Sequence, residues 1–435
     1  MKNKLLIVFS LGVLLIQTGC FSKKAEEKSK VKFAVISDIH YYDSALGTTG
    51  AAFEAYLAAD RKLIKESGEI LNSAITSIKS EKPDFVLIPG DLTKDGEKQN
   101  HLIVAEKLKE LEKSGIKVFI INGNHDVNNY DSVSYPSDGT TPTAIAKVSA
   151  DEFKSNYAEF GYNESFSKDS VSLSYAVEPE DGIWIIAIDS CRYDENTEEN
   201  GSVTAGKIRV ETLEWIRALL KEAKLKNKMV LGMMHHGVIE HFKGQSQFFS
   251  EYVVSDWDSI STEFANLGMK FVFTGHYHAQ DIVKKTTDTG NNIYDIETGS
   301  LVTYPNPYRI IELESNNKMV ITSSKVETIN NVNLGGKTFQ NYSKGYITDG
   351  LTNLVPYMLM SAPYNVTQSQ AKQLSPLMVS SMIAHYAGDE TANSETISKI
   401  SSMTSSTDDM TKIFGGLLQS LWTDSEPKDN NIVIE

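Results

Sequence analysis

Short apolar runs recur along the first three quarters of the chain, separated by amphipathic stretches with charged faces. Apolar runs bounded by glycine or polar residues are typical of strands that are covered on both faces of a sheet. The predicted strands are 31–37, 84–89, 117–122, 182–188, 228–234 and 270–274. Helix-period stretches are predicted at roughly 60–80, 98–113 and 211–224. This alternation predicts an α/β fold.

Beyond residue 290 the pattern changes twice. The runs IYDIET, YRIIELE and KMVITSSKV predict short strands, with antiparallel strands closing the second sheet. A polar stretch rich in glycine and asparagine follows, which is typical of a linker, and then come segments rich in Met, Leu and Ser with helical character. We therefore predict an α/β domain over 31–330 and a small helical C-terminal domain over 345–425.

The N-terminus predicts a targeting segment that is not part of the fold. A basic start precedes the apolar run 5–16, which is too short to span a bilayer comfortably. The small residues before Cys20 resemble a bacterial lipobox, although Gln17 stands where an aliphatic residue is usual. We expect a lipoprotein signal peptide over 1–19, lipidation of Cys20 and a tether over 20–30. The protein would then be extracytoplasmic and anchored to the bacterial cell membrane; a plain signal peptide or an uncleaved anchor is the alternative.

Composition and charge narrow the chemistry further. The 435 residues are 40% hydrophobic and 23% charged, which is ordinary for a globular protein. A formal net charge of -15 disfavours a nucleic-acid polymer as partner. After Cys20 only Cys191 remains, so neither an internal disulfide nor a thiolate zinc site is expected. Any metal ion would have to be bound by nitrogen and oxygen.

Seven of the nine histidines lie in or beside short polar segments that follow predicted strands. In α/β sheets the carboxyl ends of strands are where active sites collect. Extended residues at i and i+2 point the same way, so Asp38 and His40, and likewise His276 and His278, are expected to converge. Carboxylate, amide and imidazole together suit Mn, Fe or Zn. The segments are Asp38-Ile39-His40, Gly90-Asp91, Gly123-Asn124-His125-Asp126, His235-His236-Gly237 and Gly275-His276-Tyr277-His278.

The order D-x-H, G-D, G-N-H-D, H and G-H-x-H resembles the calcineurin-like metallophosphoesterase superfamily, and the layout is most similar to its class III cyclic-nucleotide phosphodiesterase branch. The resemblance implies a four-layer αββα sandwich with two divalent or trivalent metal ions. His235 is preferred to His236 as a ligand because it directly follows the apolar run. The implied ligands are Asp38, His40, Asp91 and His278 for one ion, and Asp91, Asn124, His235 and His276 for the other.

The resemblance also implies catalytic roles. His125 is expected to contact the phosphate and protonate the leaving oxygen, with Asp126 orienting it, while a metal-bound hydroxide attacks phosphorus. His236, Tyr41 and Tyr130 are expected to contact the substrate; tyrosines that only pack the loops are the alternative.

The expected activity is hydrolysis of small phosphodiesters such as cyclic nucleotides. One alternative is an extracytoplasmic phosphomonoesterase that scavenges phosphate, and a further one is a non-catalytic binding protein. His101 and His385 fall outside the motif pattern and are expected to be surface or packing residues.

Overall fold

The computed structural model describes residues 30–314, 318–361, 364–388 and 390–435. The predicted signal peptide, Cys20 and nearly all of the tether lie outside these residues. Within the part of the chain that is described, no helix has both the length and the apolar character needed to cross a membrane. The strands are β1 (Lys30–Val35), β2 (Phe85–Pro89), β3 (Lys117–Ile121), β4 (Val133–Ser134), β5 (Thr143–Ala144), β6 (Ser167–Lys168), β7 (Tyr175–Glu180), β8 (Ile183–Ile188), β9 (Met229–Met234), β10 (Phe271–Thr274), β11 (Asp281–Thr286), β12 (Asn292–Glu297), β13 (Pro307–Glu314), β14 (Met319–Lys325) and β15 (Asn431–Ile434). The α-helices are α1 (Ala51–Ala58), α2 (Ser67–Glu81), α3 (Lys98–Glu112), α4 (Ala150–Asn156), α5 (Val210–Leu225), α6 (Gln245–Phe248), α7 (Trp257–Leu267), α8 (Phe339–Met360), α9 (Gln368–Ala387), α10 (Ser394–Thr404) and α11 (Asp409–Leu421).

Most strands form two large sheets. The first has the order β15-β14-β13-β1-β2-β3, and the second has the order β11-β12-β10-β9-β8-β7-β6. Both have parallel centres, with β1, β2 and β3 parallel in one and β8, β9, β10 and β12 parallel in the other. The prediction that β13 and β14 close the second sheet is wrong. They extend the first sheet, antiparallel to β1, because a local apolar pattern does not specify the distant strand with which a segment pairs.

The two sheets pack face to face and helices cover their outer faces. Phe33 of β1 meets Phe273 of β10 across the layers, with ring centroids 5.4 Å apart in an edge-on arrangement. Outside the first sheet α2 and α3 bury residues such as Ile70 and Leu108, and outside the second α5 and α7 bury residues such as Ile216. This arrangement confirms the four-layer αββα sandwich.

Two local departures from the predicted elements concern the start and the end of the fold. The helix predicted from residue 60 begins only at Ser67, because the Asp60 carboxylate accepts hydrogen bonds from the backbone N–H groups of Arg61 and Lys62 and holds a turn there. After α8 to α11, the C-terminal β15 returns to the first sheet and pairs with β14, which the sequence pattern does not predict. The division into domains at 330 and 345 stays a prediction.

Candidate metal centre

The seven side chains expected as metal ligands come together around Asp91, and we name this set the Asp91 cluster. Oδ2 of Asp91 lies 3.5 Å from Nε2 of His40 and 3.4 Å from Nε2 of His235. The Asp91 carboxylate therefore lies between two groups of ligands, the position that a bridging ligand requires. The Asp91 cluster consists of Asp38, His40, Asp91, Asn124, His235, His276 and His278.

On one side of Asp91, the side chains of Asp38, His40 and His278 converge. Nε2 of His278 lies 3.3 Å from Nε2 of His40 and 3.5 Å from Oδ1 of Asp38. One ligand atom from each of the three residues lies within 4.8 Å of the others, and all three side chains are buried. This spacing fits a single ion bound between them.

On the other side, His235 and His276 share Asp91, and their ligand atoms again lie within 4.8 Å of one another. The Asn124 side-chain oxygen lies 3.0 Å from Nε2 of His235. The expected second ligand set is therefore also assembled in one place. The Asn124 amide oxygen adds a possible metal ligand to this set without adding negative charge.

Hydrogen bonds to backbone carbonyls orient two of these imidazole rings. Nδ1 of His235 lies 2.8 Å from the Pro89 carbonyl oxygen, and Nε2 of His276 lies 3.2 Å from the Glu251 carbonyl oxygen. A carbonyl oxygen only accepts, so each of these nitrogens carries a proton, and the other ring nitrogen is the one that could bind a metal ion. Such contacts fix the tautomer that a metal ligand needs.

The backbone at the Asp91 cluster differs from the expected extended conformation. Strand β1 ends at Val35, and the ligands that follow it have positive φ angles. A positive φ in a residue other than glycine is strained by about 1–3 kcal/mol and is characteristic of functional sites. The i, i+2 pairs thus converge through left-handed turns and not through extended strand ends. The residues concerned are Asp38 (φ 51°), His40 (φ 41°), Asp91 (φ 48°), His276 (φ 79°) and His278 (φ 70°).

Glycines next to the ligands leave space that a side chain would fill. A Cβ atom at Gly123 would lie 2.1 Å from Oδ1 of Asp91, and one at Gly275 would lie 2.4 Å from Oδ2 of Asp38. Both distances are far below van der Waals contact. These positions require glycine because the backbone passes directly against a ligand carboxylate.

The chemistry of the Asp91 cluster fits bound cations. Burial and the nearby Lys62 ammonium hold the pKa of His40 well below its ordinary value, and burial likewise lowers the pKa of His278. Imidazole nitrogens and carboxylates point at one another in this buried site, and within the described part of the chain Nδ1 of His40 has no hydrogen-bond partner. Buried carboxylates need a compensating partner, and metal ions would provide it.

The histidine expected to act as the acid has a different partner from the expected one. Nδ1 of His125 lies 2.8 Å from Oδ1 of Asp95, and its side chain is 25% exposed. The Asp126 carboxylate instead turns inward and accepts hydrogen bonds from the backbone N–H groups of Gly123, Leu92 and Thr93. The prediction that Asp126 orients His125 is therefore wrong, because these backbone donors fully engage the Asp126 oxygens.

His236 and Tyr41 do not occupy the positions expected of substrate contacts. Nδ1 of His236 is 2.8 Å from the Ser190 hydroxyl, and its Nε2 donates to the Thr204 carbonyl at 2.8 Å, so both ring nitrogens are engaged in a buried site. Tyr41 is buried in the hydrophobic core. The turn after β9 directs His235, and not His236, toward Asp91.

Tyr130 lies on the surface and is 37% exposed, with the Lys147 ammonium 3.6 Å from its ring centroid. The described contact of this side chain is thus with a neighbouring lysine. That Tyr130 contacts the substrate therefore stays a prediction from the sequence.

Two charged residues near the Asp91 cluster are missed by the sequence motifs. Asp95 follows Asp91 by four positions in G-D-L-T-K-D-G, which is a signal that could have identified it. Burial raises the pKa of Asp95, but Lys94 and the hydrogen bond from His125 outweigh burial and lower it to about 2. Lys62 acts electrostatically on His40, His125 and His278, and no local sequence signal indicates this proximity.

Comparison with known proteins gives one match to a family. The family model described as calcineurin-like phosphoesterase matches residues 31–280. No curated protein matches the sequence. Among solved structures, a dimetal phosphatase from Danio rerio is 16% identical, with a TM-score of 0.48, and the match covers 68% of this chain and 96% of that chain. The purple acid phosphatase PPD1 from yellow lupin, Lupinus luteus, is 9% identical, with a TM-score of 0.41 and coverage of 69% and 52%.

Proposed function

This chain belongs to the calcineurin-like phosphoesterase family, and from that membership we propose that it hydrolyses small phosphodiesters, such as cyclic nucleotides. The observation that carries the proposal is the position of His125 beside the Asp91 cluster. Nε2 of His125 lies 4.0 Å from Oδ2 of Asp91, while Nδ1 is held by Asp95. An acid–base group is thus fixed next to the place where a phosphoryl group would bind.

The Asp91 cluster would hold two ions, with Asp91 shared between them, and the absence of thiol ligands favours Mn, Fe or Zn. When bound, such ions supply charge neutralisation for the phosphoryl oxygens and activate water near neutral pH. The positive φ angles and the adjacent glycines hold the ligands in this arrangement before substrate arrives.

The residues of the chain itself would move the proton. In the charged ring of His125, Nδ1–H donates to Asp95 and Nε2–H points toward the Asp91 cluster. Burial lowers the pKa of His125, but the Asp91 and Asp95 carboxylates outweigh burial and the net shift is upward. A ring whose charged form the Asp95 carboxylate favours is suited to give its Nε2 proton to the leaving oxygen.

The test is a comparison of two substrates with the purified protein loaded with Mn²⁺. We expect faster hydrolysis of bis(p-nitrophenyl) phosphate than of p-nitrophenyl phosphate, and loss of activity in Asp91→Asn. Asp138→Asn, at an exposed position, is the matched control and should retain activity. Activity that survives in Asp91→Asn would contradict the proposed site, whereas a preference for the monoester would contradict only the substrate class.

A phosphomonoesterase is the second candidate, and Lys62 is the observation that favours it. The Lys62 side chain is 12% exposed, pairs with Asp60 at 3.5 Å, and exerts its charge on His40, His125 and His278. A monoester dianion carries one more negative charge than a diester and would gain more from a nearby ammonium group. If the monoester is the natural substrate, Lys62→Gln should raise the KM for the monoester more than the KM for the diester. Equal changes in the two KM values would show that Lys62 does not discriminate between the substrates.

We further propose that Cys20 carries a lipid anchor on the extracytoplasmic side of a bacterial membrane. The support is the sequence alone, since the apolar run 5–16 and the small residues before Cys20 match a lipoprotein leader. Mass spectrometry of the mature N-terminus tests this. An acylated Cys20 is expected, and an unmodified Met1 or a free Cys20 would contradict it.

A further inference from the structure

A second buried cluster of histidines and carboxylates lies where the C-terminal helices meet the edge of the second sheet. Asp281 belongs to β11, and Asp295 and Glu297 belong to β12. His385 comes from the last turn of α9, and Glu390 follows that helix. We name this set the Asp281 cluster: His241, Asp281, Asp295, Glu297, His385 and Glu390. None of these residues belongs to the proposed catalytic site.

Three of these side chains have the spacing of metal ligands. Nδ1 of His385 is hydrogen-bonded to Oε1 of Glu390 at 2.5 Å and lies 3.7 Å from Oδ2 of Asp281. One ligand atom from each residue lies within 4.8 Å of the others. The three side chains are only 3–6% exposed, so bulk water does not readily solvate their charged groups. One imidazole and two carboxylates are a donor set that suits Zn²⁺ or Mn²⁺.

His241 gives an independent indication of a missing partner. Its side chain is 1% exposed, and among the residues that the structure describes neither ring nitrogen has a hydrogen-bond partner of good geometry. Nδ1 lies 3.4 Å from Oδ1 of Asp281, the oxygen turned away from His385. Nε2 lies 3.4 Å from Oδ2 of Asp295 and 3.6 Å from Oε2 of Glu297. A buried imidazole that lies 3.4–3.6 Å from three carboxylates without a well-aligned hydrogen bond is unusual in a folded core.

The Asp281 cluster also has an excess of negative charge. Four carboxylates face two imidazole rings, and the Arg309 guanidinium donates to the carbonyl oxygens of Asp281 and Glu297. Even with both rings protonated, the carboxylates outnumber these positive groups. A buried excess of charge calls for a cation.

We propose that Asp281, His385 and Glu390 bind a third divalent cation, separate from the two ions of the Asp91 cluster. His241 lies beside the opposite oxygen of Asp281, on the side from which second partners of metal ligands commonly act. The bound ion links α9 to β11 and so fastens the C-terminal helices to the phosphoesterase sheet. The link lies close to the catalytic loop, because Tyr277, between His276 and His278, packs against the His385 ring with centroids 5.6 Å apart.

Metal content measures the third site directly. The full-length protein is incubated with excess Zn²⁺, desalted, and its zinc is counted by mass spectrometry. We expect three ions per chain in the unmodified protein and two in His385→Ala and in Glu390→Gln. Glu395→Gln is the matched control, because Glu395 lies on the same C-terminal part but is exposed and pairs with Lys399; it should retain three. Two ions in the unmodified protein, or three in the two cluster variants, would overturn the proposal.

A second measurement decides the case if a cluster variant does not fold. Crystals of the unmodified protein grown with Zn²⁺ should show an anomalous difference peak between Asp281, His385 and Glu390, and the absence of a peak there rejects the site. The phosphoesterase proposal is tested separately, since three ions without hydrolysis would contradict the activity alone. Hydrolysis with only two ions would contradict the third site alone.

Discussion

Nδ1 of His125 lies 2.8 Å from Oδ1 of Asp95, thirty residues earlier in the chain, while the adjacent Asp126 faces the backbone of the loop. The two carboxylates thus have separate tasks. Asp95 holds the ring and favours its charged form, and Asp126 stabilises the turn that carries Asn124 and His125. This separation allows the two roles to be tested by substituting one carboxylate at a time.

Asp95→Asn should lower the pKa of His125, because the carboxylate that favours the charged ring is removed. A general acid acts only while protonated, so activity is lost as the pH rises through its pKa. The alkaline limb of the kcat profile should therefore move to lower pH, and kcat near neutral pH should fall by roughly tenfold. Metal content should not change. An unshifted alkaline limb would show that Asp95 does not act through His125.

His125→Asn should reduce kcat by about 10²–10⁴ through loss of the proton donor. The two ions should remain bound, because the described hydrogen bond of this ring is with Asp95 and its side chain is partly exposed. Hydrolysis of a bis(p-nitrophenyl) ester alongside one with a poorer leaving group provides the check. The loss should be larger for the poorer leaving group, which needs the proton more. Loss of metal would instead place His125 among the ligands.

Asp126→Asn should act on the fold of the loop and not on the proton transfer. The amide cannot accept from three backbone N–H groups as a carboxylate does, and the position is fully buried. We expect a loss of about 3 kcal/mol in the free energy of unfolding, together with reduced metal content. Urea denaturation of the metal-free protein measures the first effect. A variant with full stability and a shifted pH profile would instead indicate that Asp126 orients His125.

The sequence predicts the Asp91 cluster well because its ligands directly follow buried strands. In both sheets the central strands are parallel, so the apolar runs also mark the carboxyl ends of the strands. Asp38, Asp91 and His235 meet at these ends. The partner of His125 could not be predicted in the same way. Its identity depends on the turn after Asp91, where positive φ angles and not strand periodicity direct the side chains.

The pairing of strands that are distant in the sequence is the second feature that the sequence does not predict. The segments that form β13 and β14 are recognisable as strands, but joining them to β1 depends on contacts across most of the chain. The C-terminal β15 is short and its sequence, Asn431–Ile434, is too brief for periodicity to identify. The same holds for His385, which appears isolated in the sequence and reaches Asp281 only once α9 has packed.

His101→Gln should make stability less sensitive to acid. Burial lowers the pKa of His101 to about 4, from 6.5, while its Nε2–H donates to the Asp126 carbonyl and its Nδ1 accepts from the Tyr157 hydroxyl. The unfolded chain binds the proton more tightly, so stability should fall as the pH drops from 6.5 toward 4. Glutamine can make both hydrogen bonds without titrating. The difference in unfolding free energy between the two metal-free proteins should therefore shrink with falling pH, and a constant difference would contradict the assignment.

Gly123→Ala should displace the Asp91 carboxylate and reduce activity by about 10². The added Cβ atom would lie 2.1 Å from Oδ1 and 2.3 Å from the backbone nitrogen of Asp91, so the carboxylate between the two ligand groups must move. Displacement of a catalytic group by about 1 Å can reduce the rate by about 10². Gly416→Ala in α11 is the control, because nothing lies within 4 Å of its added Cβ, and it should retain full activity. Because the backbone on both sides of the contact is buried, we expect the loss of activity in Gly123→Ala to persist at saturating Mn²⁺. Full recovery with added metal would mean that the Asp91 carboxylate adapts without losing its place between the two ligand groups.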